Sequence, residues 1–141
     1  MYIKQVKWVG VTAALLAMFA VAMGAFAAHG LKAILSEPQL ATLRTAVLYQ
    51  FIHSLGALIA IGLSALAPLT AFRPSLVAAS WLFIAGVLLF SGSLFGLVLF
   101  EARFLGPVTP IGGVCFLLGW GVLVSVFARV GGQSDKKENV Q

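Results

Sequence analysis

Four long stretches without a charged residue constrain this chain more than any other feature of its sequence. Asp, Glu, Lys and Arg are absent from residues 8–31, 45–72, 74–100 and 104–128, which hold 24, 28, 27 and 25 residues. About 20 helical residues, each rising 1.5 Å, cross the hydrocarbon core of a bilayer. Each stretch is therefore long enough to cross a membrane once and too short to cross it twice.

The pattern inside these stretches favours helices over strands. Within a membrane, backbone groups are satisfied only in helices or in closed barrels, whose strands alternate apolar and polar residues. Residues 87–90, Val-Leu-Leu-Phe, do not alternate. We therefore predict an all-α membrane protein: four transmembrane helices in a compact bundle with short loops, and one short interfacial segment between the first two helices. The predicted domain covers residues 1–130, with helices near 8–28, 37–67, 75–102 and 110–129, and a disordered polar tail at 131–141.

The composition excludes the other classes of chain. Hydrophobic residues make up 61% of the sequence and charged residues 9%, whereas an ordinary soluble domain has roughly 25% charged residues. A disordered chain needs low hydrophobicity and high charge, which is the opposite pattern. The net charge of +5 comes from basic residues at the ends of the apolar stretches, where they suit an anionic lipid surface better than nucleic acid. The single cysteine, Cys115, excludes an internal disulfide and any CxxC motif.

Helix-start and helix-stop signals support the same division. Residues 36–39 (SEPQ) combine an N-cap serine, a proline in the first turn and a glutamine three residues on, which predicts the start of the second helix. The pair Gly106-Pro107 is a helix stop. Thr109 followed by Pro110 predicts an N-cap and a first helical position, and hence the start of the fourth helix.

The distribution of basic residues predicts an orientation, because Lys and Arg collect in cytoplasmic flanks. One side of the membrane receives six of them and the other receives three, so we expect both termini in the cytoplasm. The larger group is Lys4, Lys7, Arg73, Arg129, Lys136 and Lys137, and the smaller is Lys32, Arg44 and Arg103.

A cleaved signal peptide is an alternative interpretation of the N-terminus. Lys4 and Lys7 precede an apolar stretch that reaches residues 25–27, Ala-Phe-Ala, a pattern typical of cleavage sites. The stretch is long for the apolar part of a signal peptide, which spans about 7–15 residues. We therefore favour a first helix that is kept, and cleavage would leave three helices.

Small residues collect on one face of each predicted helix. Lipid provides no hydrophobic drive between helices, so small faces that let backbones approach are a basis of their association. These faces are Gly10, Ala13, Ala14, Ala17, Ala20, Gly24 and Ala28 in the first helix, Ala78, Ala85, Gly86, Gly92, Ser93 and Gly96 in the third, and Gly112, Cys115 and Gly119 in the fourth. We predict helix packing through Gly24, Gly56, Gly92, Gly96, Gly112 and Gly119, and a bundle open to further assembly as a homo-oligomer.

The second helix separates polar from bulky residues. Its polar or small side is Thr45, Tyr49, His53, Gly56, Ala60 and Ser64, with Gln50 at the margin, and its bulky side is Leu48, Phe51, Ile52, Leu55, Leu58 and Ile59. We expect the first side to face the bundle and the second to face lipid. His53 lies nine residues after Arg44, about 13 Å deeper along the helix. An ionisable group at that depth is a functional hypothesis, although a histidine hydrogen-bonded within the bundle explains it too and is the interpretation we favour.

Sequence patterns for cofactor or catalytic sites are missing. His29 lies at the end of the first helix, where it can cap the last carbonyls, and it differs from His53 in depth by about 10 Å or more, too far for two axial ligands of one haem. Nitrogen and sulfur ligands are too few for a zinc site. The uncharged stretches contain no carboxylate to orient a histidine beside a serine, or to carry protons through the membrane. We therefore predict no enzymatic activity, no cofactor and no metal.

Five motifs resemble one family of small membrane proteins. They are residues 24–32 (GAFAAHGLK), 49–53 (YQFIH), 90–94 (FSGSL), 106–113 (GPVTPIGG) and 119–120 (GW). In this order they resemble the "domain of unknown function 423" family, which includes transmembrane protein 256, and the similarity runs from about residue 10 to 128. Ala27 stands where the family often has Gly. The resemblance implies a multi-spanning protein, in bacteria of the inner membrane, with no established activity. It raises as motif positions His29, Tyr49, Gln50, His53, Ser91, Ser93, Thr109 and Pro110.

Three functional hypotheses follow. The first is a non-enzymatic membrane protein that acts through helix packing with itself, with lipid or with a membrane partner. The second is a small-solute or proton carrier with a polar pocket formed by Tyr49, Gln50, His53 and Ser93. The third is an accessory subunit that binds a quinone-like or lipid-like cofactor near His53. The absence of a buried acid and of a soluble domain favours the first.

Overall fold

The apolar stretches form long helices in a computed structural model, which describes the backbone of residues 1–138 and the side chains of residues 1–130. The helices are α1 (Tyr2–His29), α2 (Glu37–Leu63), α3 (Arg73–Gly86), α4 (Gly92–Leu99) and α5 (Val108–Glu138). A π-helical turn, Val87–Ser91, joins α3 to α4, and 3-10 turns lie at Ala67–Phe72 and Arg103–Leu105. Residues 1–138 contain no strand.

Four segments are long and apolar enough to cross a membrane. They are Tyr2–His29, Glu37–Leu63, Ala67–Leu99 and Arg103–Val130. The predicted all-α class with four transmembrane helices is thereby confirmed. Helix α2 packs against α1 on one side and against α3 and α4 on the other, and α5 packs against α3. The disordered polar tail was predicted from residue 131, whereas the backbone of 131–138 continues α5. The side chains of 131–138, and all of 139–141, lie outside the described residues.

The first helix begins at Tyr2, six residues before its predicted start. Polar contacts hold this end in place: the Tyr2 hydroxyl lies 2.7 Å from Ser64 Oγ, and the Arg73 guanidinium lies 4.6 Å from the centre of the Tyr2 ring. Arg73 Nε also donates to the Ser64 carbonyl at 3.0 Å. The N-terminus and the loop between α2 and α3 are therefore at the same end of the bundle.

The connection between α1 and α2 combines a confirmed prediction with a correction. Ser36 is the N-cap of α2, and both its backbone N–H and its hydroxyl donate to Gln39 Oε1, at 3.0 and 2.8 Å. An interfacial position was expected for the apolar side chains of this region. Ile34 is exposed, whereas Leu31, Leu40 and Leu43 lie in a buried cluster with Met23 and Val98. Leu40 and Leu43 are already part of α2, whose inner face buries them.

The start of α5 differs from the prediction. The helix begins at Val108 rather than at Pro110, so Thr109 is inside its first turn and is not its N-cap. The Thr109 hydroxyl instead lies 2.7 Å from Ser93 Oγ on α4. The hydroxyl that was predicted to cap α5 therefore makes a contact between two helices.

The third span contains a π turn where an uninterrupted helix was predicted. Each residue added to a turn rotates the side chains that follow it relative to those that precede it. Ser91 at the end of the turn and Ser93 beyond it are buried, whereas Gly92 is exposed and a Cβ there would have nothing within 4 Å. The expected packing of Gly92 does not occur among residues 1–130.

Bulky residues, rather than other small residues, lie beside five of the six predicted packing glycines. A Cβ at Gly56 would lie 3.3 Å from the Phe83 ring and one at Gly119 would lie 2.7 Å from it. A Cβ at Gly112 would meet the backbone nitrogen of Phe90. One at Gly24 would lie 3.3 Å from Val47, and one at Gly96 would meet Leu105. The inward faces thus pair glycine on one helix with a bulky side chain on its neighbour.

This pairing corrects two of the predicted small faces. In α1 the buried residues are Val9, Ala13, Ala20, Met23 and Ala27, whereas Ala14 and Ala28 are exposed. In α3 the buried face includes Leu76 and Phe83, and Ala78 is exposed. In α3 the reason is that Gly56 and Gly119 on the facing helices leave space inside the bundle for the ring of Phe83.

Candidate functional site

His53 lies in the middle of α2, buried among rings from α3 and α5. Its side chain is 6% exposed. Its ring is stacked on that of Phe116, with centroids 3.5 Å apart and planes at 12°. Nδ1 lies 2.7 Å from the carbonyl oxygen of Tyr49, one turn earlier. Because a carbonyl only accepts, Nδ1 carries the proton and donates it. For Nε2, no hydrogen-bond partner lies among residues 1–130.

An aromatic cluster surrounds this histidine. The ring of Tyr49 lies 5.6 Å from His53 and 4.7 Å from Phe90, close to parallel to both. Phe83 and Trp120 lie 5.7 and 6.1 Å from His53 on its other side. Stacked and edge-to-face pairs at such distances are the favourable arrangements of aromatic rings. The cluster therefore joins α2 to α3, to the π turn and to α5.

Gln50 faces a different neighbour, α1. Its side chain is 2% exposed, and Nε2 donates to the carbonyl oxygen of Leu16 at 2.8 Å. A polar group in a lipid-surrounded bundle is costly unless it has such a partner. Gln50 thus fastens α2 to α1, on the side away from Phe83 and Phe116.

The serines of the third span bind backbone or hydroxyl groups of other helices. Ser91 Oγ donates to the Ala46 carbonyl at 2.8 Å, and Ser80 Oγ lies 3.2 Å from the Ala57 carbonyl. Ser93 Oγ donates to the Phe90 carbonyl at 2.9 Å, within its own span, and meets Thr109 on α5. Such interhelical bonds are a usual means of joining transmembrane helices.

Ser54 is the exception among the buried hydroxyls. It is 1% exposed, and its Oγ has no hydrogen-bond partner among the residues whose side chains are described. A hydroxyl enclosed without a partner contributes no bond and carries the cost of its desolvation.

The remaining motif residues lie at the surface. His29 is the last residue of α1 and is exposed, and Pro110 is exposed in the first turn of α5. Neither side chain contacts the rings of the aromatic cluster. Among the described residues, no three His, Cys, Asp or Glu side chains come together in a way that could hold a metal.

The structure therefore divides the predicted polar pocket. Tyr49 and His53 share the aromatic cluster, whereas Gln50 turns to α1 and Ser93 pairs with Thr109 at the start of α5. The sequence placed these four residues together because they lie on motifs, and helix periodicity alone does not say which neighbour each one meets.

A cavity of about 580 Å³ lies between α1 and α2. It was not predicted from the sequence. Small residues of α1, including Gly24 and Ala28, form one wall, and Val47 and Phe51 of α2 form the other. Lys32 lines it too, and so does Arg44, the basic residue that precedes the second apolar stretch. We call it the α1–α2 groove. The sequence feature that indicates this cavity is the small side of α1, but we had expected another helix to cover that side.

Comparison with known proteins finds a matching family model and similar proteins. Residues 23–113 match the family model described as "Protein of unknown function (DUF423)". A UPF0382 membrane protein of Staphylococcus epidermidis is 44% identical over 119 residues, which cover 84% of this chain and 93% of the relative.

Other bacteria have similar proteins. A UPF0382 membrane protein of Haemophilus influenzae is 46% identical over 107 residues, covering 76% of this chain and 82% of the relative. One of Bacillus subtilis is 39% identical over 108 residues, covering 77% and 85%. No solved structure matches the chain.

Proposed function

Because the chain belongs to the DUF423 family of membrane proteins, we propose that it is a non-enzymatic multi-spanning protein that acts through the surface it presents to lipid and to membrane partners. The proposal concerns the mode of action. The polar residues inside the bundle hold the helices together, and the outer surface makes the functional contacts.

One observation carries this proposal: three of the buried polar motif residues are engaged with neighbouring helices. Gln50 bonds to α1, Ser91 bonds to α2, and Ser93 meets α5. These bonds leave the side chains with a structural task that accounts for their presence in an apolar environment. The α1–α2 groove, in contrast, is open to the outside of the bundle and engages none of them.

The arrangement of His53 also supports a structural role. Its ring face is covered by Phe116 at 3.5 Å, and Nδ1 is bonded to the Tyr49 carbonyl. A general acid or base needs a reacting group within hydrogen-bond reach. The α1–α2 groove does not include His53 in its walls.

A second candidate, a proton or small-solute carrier, is favoured by one specific feature. Nε2 of His53 has no hydrogen-bond partner among residues 1–130, and with the proton on Nδ1 it is an unused acceptor. In this alternative, Nε2 is the group that meets the transported proton or solute.

Proton flux separates the two candidates. The full-length protein is reconstituted into vesicles that enclose a pH-sensitive dye, and a pH gradient with a potassium diffusion potential drives proton movement. We expect the same flux as in empty vesicles, both for the native protein and for His53→Ala. Flux above that background that disappears in His53→Ala and persists in Ser54→Ala would establish the carrier and overturn our proposal.

The orientation is part of the proposal. Six basic residues on the side of the termini against three on the other favour cytoplasmic termini in a bacterial inner membrane. The contact between Tyr2 and Arg73 supports the pairing of ends on which this assignment depends, because it joins the N-terminus to the loop between α2 and α3.

A further inference from the structure

The α1–α2 groove is apolar along its length and charged at one end. Small residues of α1 from Ala20 to Ala28 and residues Val47 to Phe51 of α2 line it. The charged end is marked by Lys32 and Arg44, which also line the cavity. Phe51 lies seven residues beyond Arg44, so the groove extends about 10 Å along α2 from the charged end into the apolar part of the helix.

The two cations are at the level of the membrane boundary. Lys32 follows the first uncharged stretch and Arg44 precedes the second. Both side chains are exposed. Neither forms an ion pair with Glu37 or Glu101, the acidic residues whose side chains the structure describes. Two cations without an acidic partner at a membrane surface attract anionic lipid headgroups.

We propose that the α1–α2 groove binds an anionic phospholipid, with one acyl chain between the helices and the phosphate against Lys32 and Arg44. The inference rests on the proposed function and names the ligand of that outer surface. A cavity with polar groups at one end and apolar walls elsewhere matches an amphiphile and offers a polar solute no hydrogen bonds away from that end. Its volume of about 580 Å³ is in the range of ligand sites, about 300–1,000 Å³.

Charge favours a lipid over a second copy of the chain. A copy seated in the groove brings a protein of net charge +5 to a site that already holds two cations. An anionic headgroup brings the opposite sign. The exposure of Ala25 and Ala28 on the groove wall leaves room for a chain that is thinner than a helix.

Native mass spectrometry of the full-length protein in detergent tests the proposal. The protein is incubated with palmitoyl-oleoyl-phosphatidylglycerol or with the phosphatidylcholine that has the same chains, and the retained lipid is counted as the concentration is raised. We expect one phosphatidylglycerol to bind more tightly than phosphatidylcholine. In the double variant Lys32→Gln/Arg44→Gln, phosphatidylglycerol should bind roughly thirtyfold more weakly, since each cation near the surface contributes about fivefold.

Two matched controls isolate the groove. Lys7→Gln/Arg103→Gln also removes two positive charges, from residues that do not line the groove, and should retain the tight phosphatidylglycerol. Ala28→Phe fills the groove from its exposed wall and should abolish the tight site, whereas Ala22→Phe, on the exposed surface of α1 outside the groove, should keep it.

Two results would overturn the lipid site. One is equal binding of both lipids to the native protein and to every variant. The other is that the native protein forms dimers and that Ala28→Phe loses these dimers but binds lipid as before. This result would make a second copy of the chain the occupant of the groove. Either result leaves the proposed function intact as long as the vesicles show no His53-dependent proton flux. Such flux would refute the proposed function without changing which lipid the groove retains.

Discussion

The imidazole of His53 lies face to face with the ring of Phe116, with centroids 3.5 Å apart and planes at 12°. The two residues join the middle of α2 to α5. His53 also contacts the rings of Tyr49, Phe83 and Trp120 at 5.6 to 6.1 Å, and aromatic pairs at such distances add about 0.5–1.5 kcal/mol to the burial of the rings. The pair is therefore a structural bond between the central helix of the bundle and its last helix.

Replacing this ring tests whether stacking or hydrogen bonding accounts for His53. His53→Ala should lower the free energy of unfolding by about 2–4 kcal/mol, because it removes a stacked ring and leaves a cavity. His53→Phe keeps the ring and loses only the bond to Tyr49, so it should lose about 1 kcal/mol or less. Unfolding of the purified protein in mixed micelles, titrated with dodecyl sulfate, measures both. Equal losses in the two variants would show that the hydrogen bond is the important contact.

Ser91 and Ser54 form a matched pair of buried serines. Ser91 donates across to the Ala46 carbonyl, whereas Ser54 has no partner among the described residues. Ser91→Ala should lower the free energy of unfolding by about 0.6–1.7 kcal/mol, the range for polar bonds between membrane helices. Ser54→Ala should leave it unchanged or raise it slightly, because an unsatisfied hydroxyl is removed. A larger loss for Ser54→Ala than for Ser91→Ala would refute this assignment of partners.

Two glycines of α5 differ in the space around them. A Cβ at Gly112 would meet the backbone of Phe90, whereas one at Gly121 would have nothing within 4 Å. Gly112→Ala should therefore destabilise the bundle by about 1–3 kcal/mol or more, since backbone must move to relieve the overlap. Gly121→Ala should be neutral or stabilise by up to about 1 kcal/mol. The same detergent titration measures both, and equal effects would contradict the close approach of α5 to the π turn.

The end of α4 depends on a residue in an unusual conformation. Glu101 has φ of 53°, and the N–H groups of Phe100 and Ala102 both donate to the Gly96 carbonyl, at 3.1 and 3.2 Å. Such left-handed helix ends favour glycine, and other residues there are less stable by roughly 1 kcal/mol. Glu101→Gly should thus raise the midpoint of thermal unfolding, measured by circular dichroism. Glu101→Ala keeps the strain and removes the charge, and an equal gain in that variant would assign the effect to charge.

The spans could be predicted because the bilayer imposes their length. Uncharged stretches of 24 to 28 residues leave a helix as the solution, and charged or capping residues such as Ser36 mark the ends. The lipid-facing side of α2 was predicted for a similar reason, since Leu48, Ile52 and Ile59 are exposed. The predicted inner side is only partly right: His53 and Gly56 are buried, but Thr45 and Tyr49 are exposed. These features depend only on a single helix and the lipid around it.

Features that involve two helices could not be predicted in this way. The π turn at 87–91 shifts Gly92 outward, and no residue in that segment predicts such a turn. The pairing of Gly56 and Gly119 with the ring of Phe83 depends on which faces meet. The four polar residues predicted as one pocket have different neighbours for the same reason. The α1–α2 groove, likewise, is space between two helices and belongs to neither sequence stretch alone.

Labelling of single cysteines tests the four crossings most directly. In a Cys115→Ser background, cysteines replace Lys4, Thr70, Lys32 and Arg103 one at a time, and intact cells are treated with a membrane-impermeant maleimide. With four crossings and cytoplasmic termini, positions 32 and 103 should react in intact cells, and positions 4 and 70 should react only after the membrane is opened. Reaction of positions 4 and 32 from the same side, or of 4 and 70 from opposite sides, would contradict the four-helix topology.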